Sequence, residues 1–345
     1  MLNELKKFAK NSPIYVTVDE KLSLPFAYAY VGNTIAYYQL DGNIDVYNDL
    51  IIPSDKEYSN IEDAIHSDYV SHDETPFEFA FDKESMPTSI SANNFTKAVS
   101  QFTKFYDVED YRTELTGLHV RRGTLFASDS RIMRLKKSNT FPSNTDMIID
   151  VNPLVDYLGV NVRKVKSVGM SLFNSNKIKN DMLDISVINK NGDDALRVKH
   201  KNLTFIIIST GKSKVSFDFI GTMKPTHTIV VHRESLIKNL TKLINNPSTD
   251  SDAIKDYVRF RLHDKLEMSN YIYHKDGEDI SKMNYKCLES SKEIKFVLDA
   301  SNLLVLLKTV KDSNIQLRYD SHGNIARIFS DSSSDLLLIA QTTYK

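Results

Sequence analysis

The sequence predicts an α+β protein in which one unit is used repeatedly: a short strand, a polar step, an amphipathic helix and a strand meander. Three observations lead there. Apolar residues at helical spacing follow short alternating segments four times along the chain. Strand-like runs punctuated by turn signals come after each helix. The composition, 41% hydrophobic and 26% charged over 345 residues, is that of a globular chain long enough for two or three domains.

The elements follow in order. Leu2–Lys10 reads as a helix with Leu5, Phe8 and Ala9 on one face, and no strand precedes it. Strand-like runs come next at 14–18, 26–31, 35–40 and 44–47, with turns at Gly32-Asn33 and Asp41-Gly42. At Thr88–Phe105 a Thr-Ser-Ile-Ser strand leads into a helix over Ala92–Phe105, where Phe95, Val99, Phe102 and Phe105 keep helical spacing. At Met147–Val160 the strand is Met-Ile-Ile-Asp. Asn152-Pro153 opens the helix, proline being suited to a first turn, and Leu154, Val155 and Leu158 form the stripe. At Thr228–Ile244 the strand Thr-Ile-Val-Val precedes Leu236, Ile237, Leu240, Leu243 and Ile244. At Ile294–Val310 the strand Ile-Lys-Phe-Val-Leu precedes Leu303, Leu304, Leu307 and Val310. Meanders are expected around Gly123, Asn191-Gly192, Asp264 and Gly323-Asn324.

The strands that open these units begin near 88, 147, 228 and 294, so the spacing varies from 59 to 81 residues. That is too irregular for a strict solenoid and fits degenerate units paired into domains. Expected domains are 1–87, partial or divergent, then 88–224 and 225–345. Within the first, residues 54–75 form an acidic stretch that reads as a solvated connector or a short helix around Asn60–Ile65.

Lys+Arg is 44 and Asp+Glu is 45, so bulk charge does not hold this protein on nucleic acid, although local patches remain open. The single cysteine, Cys287, excludes an intramolecular disulfide and multi-cysteine metal sites, and fits a reducing, cytoplasmic setting. The N-terminus shows no secretory signal, and no apolar run approaches the ~20 residues of a membrane helix, so no membrane partner is expected.

Chemical motifs are weak. Ser209-Thr210-Gly211-Lys212-Ser213 resembles the tail of a phosphate loop, but Ile206 stands where the loop needs its first glycine. His66 and His72 with Asp68, Asp73 and Glu74 could ligate a metal, yet their spacing matches no helical pair. Glu109-Asp110 and Asp193-Asp194 sit where turns are expected, and carboxylates are common in turns. No enzyme, metal or cofactor is expected.

The helices carry a different signal. Windows 2–10, 91–105, 150–166, 233–245 and 299–311 together hold 13 basic and 5 acidic residues. Cations late in a helix favour its dipole. Alternatively, the helices share one face and present the charge to a phosphate backbone. The charge alone favours the dipole reading.

At Tyr111–Leu135 the chain reads YRTELTGLHVRRGTLFASDSRIMRL. This resembles the middle domain of the bacterial DNA polymerase III beta subunit, the sliding clamp. There an "R..L.G" stretch leads through a strand pair into "A-T-D-G-H-R-L". Arg112, Leu115 and Gly117 match the first part and Ala127-Ser128-Asp129-Ser130 the second. Asp335–Ala340 resembles the family's last strand, Lys295–Leu307 its last helix unit, and Thr228–Leu243 the start of its third domain. The resemblance covers roughly 88–345. The stretch 1–87 looks like the second half of a first domain.

The resemblance implies the DNA clamp fold, with helices on the inner face of a ring and antiparallel sheets outside. It favours the phosphate-facing reading of the charge, and so assigns Lys97, Lys104, Arg163, Lys164, Lys166, Lys238, Lys242, Lys308 and Lys311 to duplex DNA. It implies a homodimeric ring, a polymerase and a clamp loader as partners, and no chemistry of its own. The family's partner-peptide pocket maps onto Leu115, Ser128, Ser130, Arg131, Met133, Leu337 and Ile339. Two departures fall there: "H-R-L" becomes Arg131-Ile132-Met133, and "M-P-M-R-L" becomes Ile339-Ala340-Gln341-Thr342-Thr343. They imply a different partner peptide or a lost pocket, as in a divergent, for instance viral, clamp. Five helix units are visible where a three-domain clamp subunit has six. An alternative reading is therefore a clamp-fold adaptor that does not encircle DNA, and a third is an enzyme using the 54–75 region.

Overall fold

The computed structural model describes residues 1–41, 50–53, 58, 60–61, 63–64, 79–159, 181–190, 192–213, 227–246, 253–262, 264–272, 281–289, 294–319, 325–330 and 336–342. They form two compact units: residues 1–125 with 138–213, and 126–137 with 214–345. The expected boundary at 224/225 lies outside the described residues.

In the first unit, helix α1 (Leu2–Ala9) buries Leu2, Leu5, Phe8 and Ala9, as its periodicity requires. A meander follows: β1 (Ile14–Asp19), β2 (Leu24–Val31) and β3 (Thr34–Gln39), turning between β2 and β3 at Gly32 with φ 56°. β4 (Leu50–Ile52) pairs with β1. The segment expected as a strand at 44–47 lies outside the described residues. β5 (Lys83–Glu84) and β6 (Thr88–Ser91) lead into α2 (Ala92–Val99), whose N-cap Ser91 Oγ accepts the Asn94 N–H at 3.3 Å.

Helix α2 stops short of the expected Phe105. Beyond it the chain tightens into turns, with Phe102 N–H donating to Val99 O and Phe105 N–H to Phe102 O. Phe102 and Phe105 still reach the core. After β7 (Leu118–Arg121) the chain passes through β8 (Thr124–Ser128) into the second unit for β9 (Ile132–Lys137), then returns for β10 (Asp146–Ile149) and helix α3 (Asn152–Tyr157). It ends well before Lys166 because Gly159, at φ 75°, takes the left-handed conformation that closes helices. β11 (Met182–Lys190), β12 (Asp193–His200) and β13 (Leu203–Ile208) complete the unit, with Gly192 at φ 91° in the β11–β12 turn.

The second unit contains β14 (His227–His232), α4 (Arg233–Asn245), β15 (Ala253–Leu262), β16 (Leu266–Ile272), β17 (Ser281–Met283) and β18 (Tyr285–Glu289). It continues with β19 (Ile294–Asp299), α5 (Ala300–Thr309), β20 (Asn314–Tyr319), β21 (Ile325–Ser330) and β22 (Leu336–Thr342). Asp299 caps α5, its Oδ1 accepting the Asn302 N–H at 2.8 Å.

One rule governs the pairing. The strand before a helix hydrogen-bonds, antiparallel, to the first strand after the helix of the neighbouring repeat. Thus β6 pairs β11 and β10 pairs β7. Likewise β14 pairs β20 and β19 pairs β15. The repeat is therefore a reciprocal exchange, and it explains why units come in pairs: a lone strand–helix–meander leaves its own first strand unpaired.

The same rule applies near the N-terminus. β4 pairs β1, and after β4 residues 61, 63 and 64 are helical. Asp63 N–H donates to Asn60 Oδ1 at 2.7 Å as a cap, and Ile61 and Ala64 are buried. Among the described residues, a further helical segment therefore lies inside the acidic stretch. Ile61, Asp63 and Ala64 lie in the stretch expected to be a solvated connector or a short helix, and the buried Ile61 and Ala64 are packed rather than solvated.

Candidate nucleic-acid interface and partner pocket

The helix lysines can be placed one by one. In α2, Ala92, Phe95, Thr96 and Val99 face the core, and Lys97 is exposed on the other side. Lys104 is exposed in the turns beyond it. In α4, Leu236, Leu240 and Leu243 are buried, while Lys238 and Lys242, four residues apart, are exposed opposite them. In α5, Lys308 is exposed in the last turn, and Lys311 is exposed just beyond the helix. α4 and α5 pack against each other, so these four lysines belong to one helix pair. Arg163, Lys164 and Lys166 lie outside the described residues.

Lys97, Lys242 and Lys308 also sit in the last turns of their helices, where the dipole favours them. The dipole does not account for Lys238, in the middle of α4.

The paired helices α1 and α3 differ. Lys10 Nζ reaches Asp156 Oδ2 at 2.8 Å, and Lys7 Nζ lies 4.7 Å from the centre of the Tyr157 ring. The Tyr157 hydroxyl donates to Glu4 Oε2 at 2.9 Å. Part of the N-terminal basic charge is thus matched within the helix pair, a balance invisible when charges are counted along the chain. The ion pair is solvent-exposed and worth at most about 1 kcal/mol.

Six of the seven residues expected to form a partner pocket fall in the second unit. β9 joins the C-terminal strand β22, with Ile132 opposite Ile339, Met133 opposite Leu338 and Arg134 opposite Leu337. Ser128, Ser130 and Arg131 form the turn leading into β9. Asp129 Oδ1 accepts the N–H groups of Arg131 and Ile132 at 2.9 and 2.8 Å. Ser128 Oγ donates to Ile132 O at 3.0 Å and accepts the Ser130 N–H at 3.1 Å. Ser130 adopts φ 75°, a left-handed conformation that favours glycine. Arg131 and Ser130 are exposed, Met133 is half-buried, and Ser128 and Ile339 are buried. Leu115 belongs to the first unit, half-buried in a 3-10 turn over Thr113–Leu115.

Sequence reasoning did not single out Arg134 and gave no physical reason for Gly117. Arg134, 1% exposed, shares the buried face with Ile132; the alternation Ile132-Met133-Arg134 is the signal that could have found it. Gly117 was a motif match without a reason. A Cβ there would lie 2.7 Å from Ile149 O and 2.9 Å from its carbonyl carbon, so β10 backbone excludes any side chain.

The phosphate-loop fragment has another task. Thr210 N–H donates to Ile148 O, Ile148 N–H to Gly211 O, and Gly211 N–H to Ser209 Oγ. Two of the amides that would cradle a phosphate are already engaged. The cluster of His66, His72, Asp68, Asp73 and Glu74 lies outside the described residues. Among the described residues, no three His, Cys, Asp or Glu side chains converge as metal ligands. No helix among them is long and apolar enough to cross a membrane.

No protein-family model matches the sequence, and no curated protein matches it. Solved structures do. The DNA polymerase III subunit beta from Pseudomonas aeruginosa matches with a TM-score of 0.69 at 11% identity, covering 99% of this chain and 97% of that one. The DNA polymerase sliding clamp from Bacillus subtilis matches at 0.68 and 11%, covering 100% and 97%. That from Caulobacter crescentus matches at 0.67 and 10%, covering 99% and 96%. The chain therefore has the clamp fold, an α+β architecture of helices and antiparallel sheets, and resembles a divergent sliding clamp along nearly its whole length.

Proposed function

We propose that this chain is a DNA polymerase processivity factor: a clamp that encircles duplex DNA without sequence specificity, tethers a polymerase and has no chemistry of its own. The observation that carries the reading is the likeness in fold to sliding clamps across at least 96% of both chains, at TM-scores of 0.67 to 0.69. Two copies of the chain would close a ring in the cytoplasm, opened by a clamp loader. The three domains 1–87, 88–224 and 225–345 would repeat along each half of that ring.

Lys97, Lys104, Lys238, Lys242, Lys308 and Lys311, all exposed, would face the DNA, with Arg163, Lys164 and Lys166 beside them. A ring holds DNA by topology, so a modest inner charge suffices and the balanced total of 44 against 45 is no obstacle. The polymerase would dock through Leu115, Ser128, Ser130, Arg131, Met133, Leu337 and Ile339. With Arg131 exposed at the turn and Ile132 turned inward, the peptide recognised differs from one suited to a histidine-bearing turn.

The test is topological. The protein, loaded with its loader on a nicked circular duplex, should stay bound through gel filtration in moderate salt. It should be lost once the circle is linearised. Equal release from circle and line would reject encirclement and favour the clamp-fold adaptor. Replacing Lys238, Lys242, Lys308 and Lys311 by alanine should lower loading and flatten its salt dependence by up to about 0.9 per phosphate contact removed.

A further inference from the structure

We propose that residues 79–85 are a strap that locks the seam between the N-terminal meander β1–β3 and the later meander β11–β13, making one rigid sheet of the two. The proposal stands apart from the DNA reading. The seam is the pairing of β3, Thr34–Tyr37, with β13, Thr204–Ile207. One face of the combined sheet receives Leu5 and Phe8 of α1, with the Phe8 ring 5.5 Å from that of Phe205. On the other face lies a second small core to which both meanders contribute: Phe26, Tyr28, Ile35 and Tyr37 from β2 and β3, and Ile188 and Ile206 from β11 and β13. Phe79 covers it, with ring centres 4.3 Å from Phe26, 4.6 Å from Tyr37 and 5.6 Å from Tyr28. Phe81 packs beside it.

The strap is pinned on both sides of the seam. On the β1 side, the buried Asp19 accepts the Phe79 N–H through Oδ2 at 2.5 Å, while its Oδ1 accepts the N–H groups of Lys21 and Leu22. On the β11–β12 side, Glu84 accepts the Ser186 hydroxyl at 2.6 Å and Arg197 Nη1 at 2.5 Å. Asp82 N–H donates to Asn189 O, Ser85 N–H donates to Val187 O, and the Val187 N–H returns a bond to Ser85 Oγ. Five residue steps from Phe79 to Glu84 reach about 17 Å when extended, between three and four strand spacings of about 4.8 Å. A strap with so little slack resists opening of the β3–β13 ladder and rotation across it.

Hydrogen exchange on the full-length chain tests this, comparing wild type with Phe79→Ala and Glu84→Gln. Exchange at 34–37 and 204–207 should rise at least tenfold in Phe79→Ala and severalfold in Glu84→Gln, with α2 and the second unit unchanged. A peptide of residues 79–86 added to Phe79→Ala should restore protection at the seam. Should Phe79→Ala fail to fold, Glu84→Gln decides. Seam amides exchanging at the wild-type rate, or a uniform rise across every strand of the first unit, would overturn the strap.

Discussion

The N-terminal and C-terminal strand–helix pairs solve the same packing problem differently. In the C-terminal pair the exchange is complete, with β14 on β20 and β19 on β15, and the two helices α4 and α5 pack on each other. In the N-terminal pair the described residues show one half of the exchange, β4 on β1. There α1 packs on α3 of the next pair, β3 joins β13, and Phe8 meets Phe205 and Tyr157. The C-terminal pair packs its two helices on each other and takes in β9 along β22, whereas the N-terminal meander shares both its helix contact and a core cluster with the neighbour. Its stability should therefore be coupled to that neighbour.

The largest effects should come from emptying each core. Leu240 of α4 and Leu5 of α1 are both fully buried, and truncating either to alanine should cost about 2–5 kcal/mol. The difference lies in how far the damage spreads. In Leu240→Ala, loss of amide protection should stay within the second unit. In Leu5→Ala it should reach β11–β13, more than 170 residues along the chain. Damage confined to β1–β3 in Leu5→Ala would show that the N-terminal meander stands alone. Next in size is Gly117→Ala. Backbone at 2.7 Å cannot yield as a side-chain end can, so β7 and β10 must part at a cost of about 1–3 kcal/mol, read from urea unfolding.

These contrasts mark what the sequence makes legible. The strands and stripes of the repeats were readable because periods of 2 and 3.6 are local. The reciprocal exchange was not: β6 finds β11 about ninety residues away, and nothing in Thr-Ser-Ile-Ser names that partner. The stop of α3 at Gly159 is a backbone feature, φ 75°, that the apolar stripe does not announce. The helical residues 61, 63 and 64 read also as a solvated connector because of their acidic neighbours, although Ile61 and Ala64 mark a buried side. The strap escaped for a similar reason, since the alternation Phe79-Ala80-Phe81 follows directly on the polar connector. For the candidate DNA face, the lysines were legible, but the matching of Lys10 by Asp156 required the fold.

A pH difference should separate the N-terminal core further. His119 is buried on β7, one ring nitrogen 2.7 Å from Glu114 O and the other 3.0 Å from Ser213 Oγ. Burial lowers its pKa, and burial likewise lowers that of His200 despite Asp181 at 3.4 Å. Both are less basic folded than unfolded, where histidine titrates near 6.5. The first unit therefore keeps its full stability above about pH 6.5 and loses it as the unfolded histidines take up protons below. Burial raises the Asp150 carboxyl, whose protonation favours the fold and opposes this loss in the carboxylate range. The cleanest window is pH 7.5 to 5.5. Urea midpoints followed at β7 and β12 should fall across it, and a His119→Gln, His200→Gln variant should flatten the slope. An unchanged slope in that variant would place the titrating groups elsewhere.

The smallest expected effect concerns the β9 turn, the point at which residues 126–137 join the C-terminal sheet. Ser130 holds φ 75° without the freedom of glycine, at about 1–2 kcal/mol. Ser130→Gly would relieve that strain and lose about 0.5–1 kcal/mol through the looser unfolded chain. The hydrogen bonds of the turn run through the Ser130 amide and the side chains of Ser128 and Asp129, so they survive the change. A net stabilisation of about 0.5 kcal/mol in the second unit should appear in urea titration. A loss of about 1 kcal/mol or more would mean that the Ser130 hydroxyl holds the turn itself. Binding of a polymerase-derived peptide should then weaken in the same variant. If stability rises while peptide affinity falls, the strain at Ser130 is part of how the proposed pocket presents Arg131.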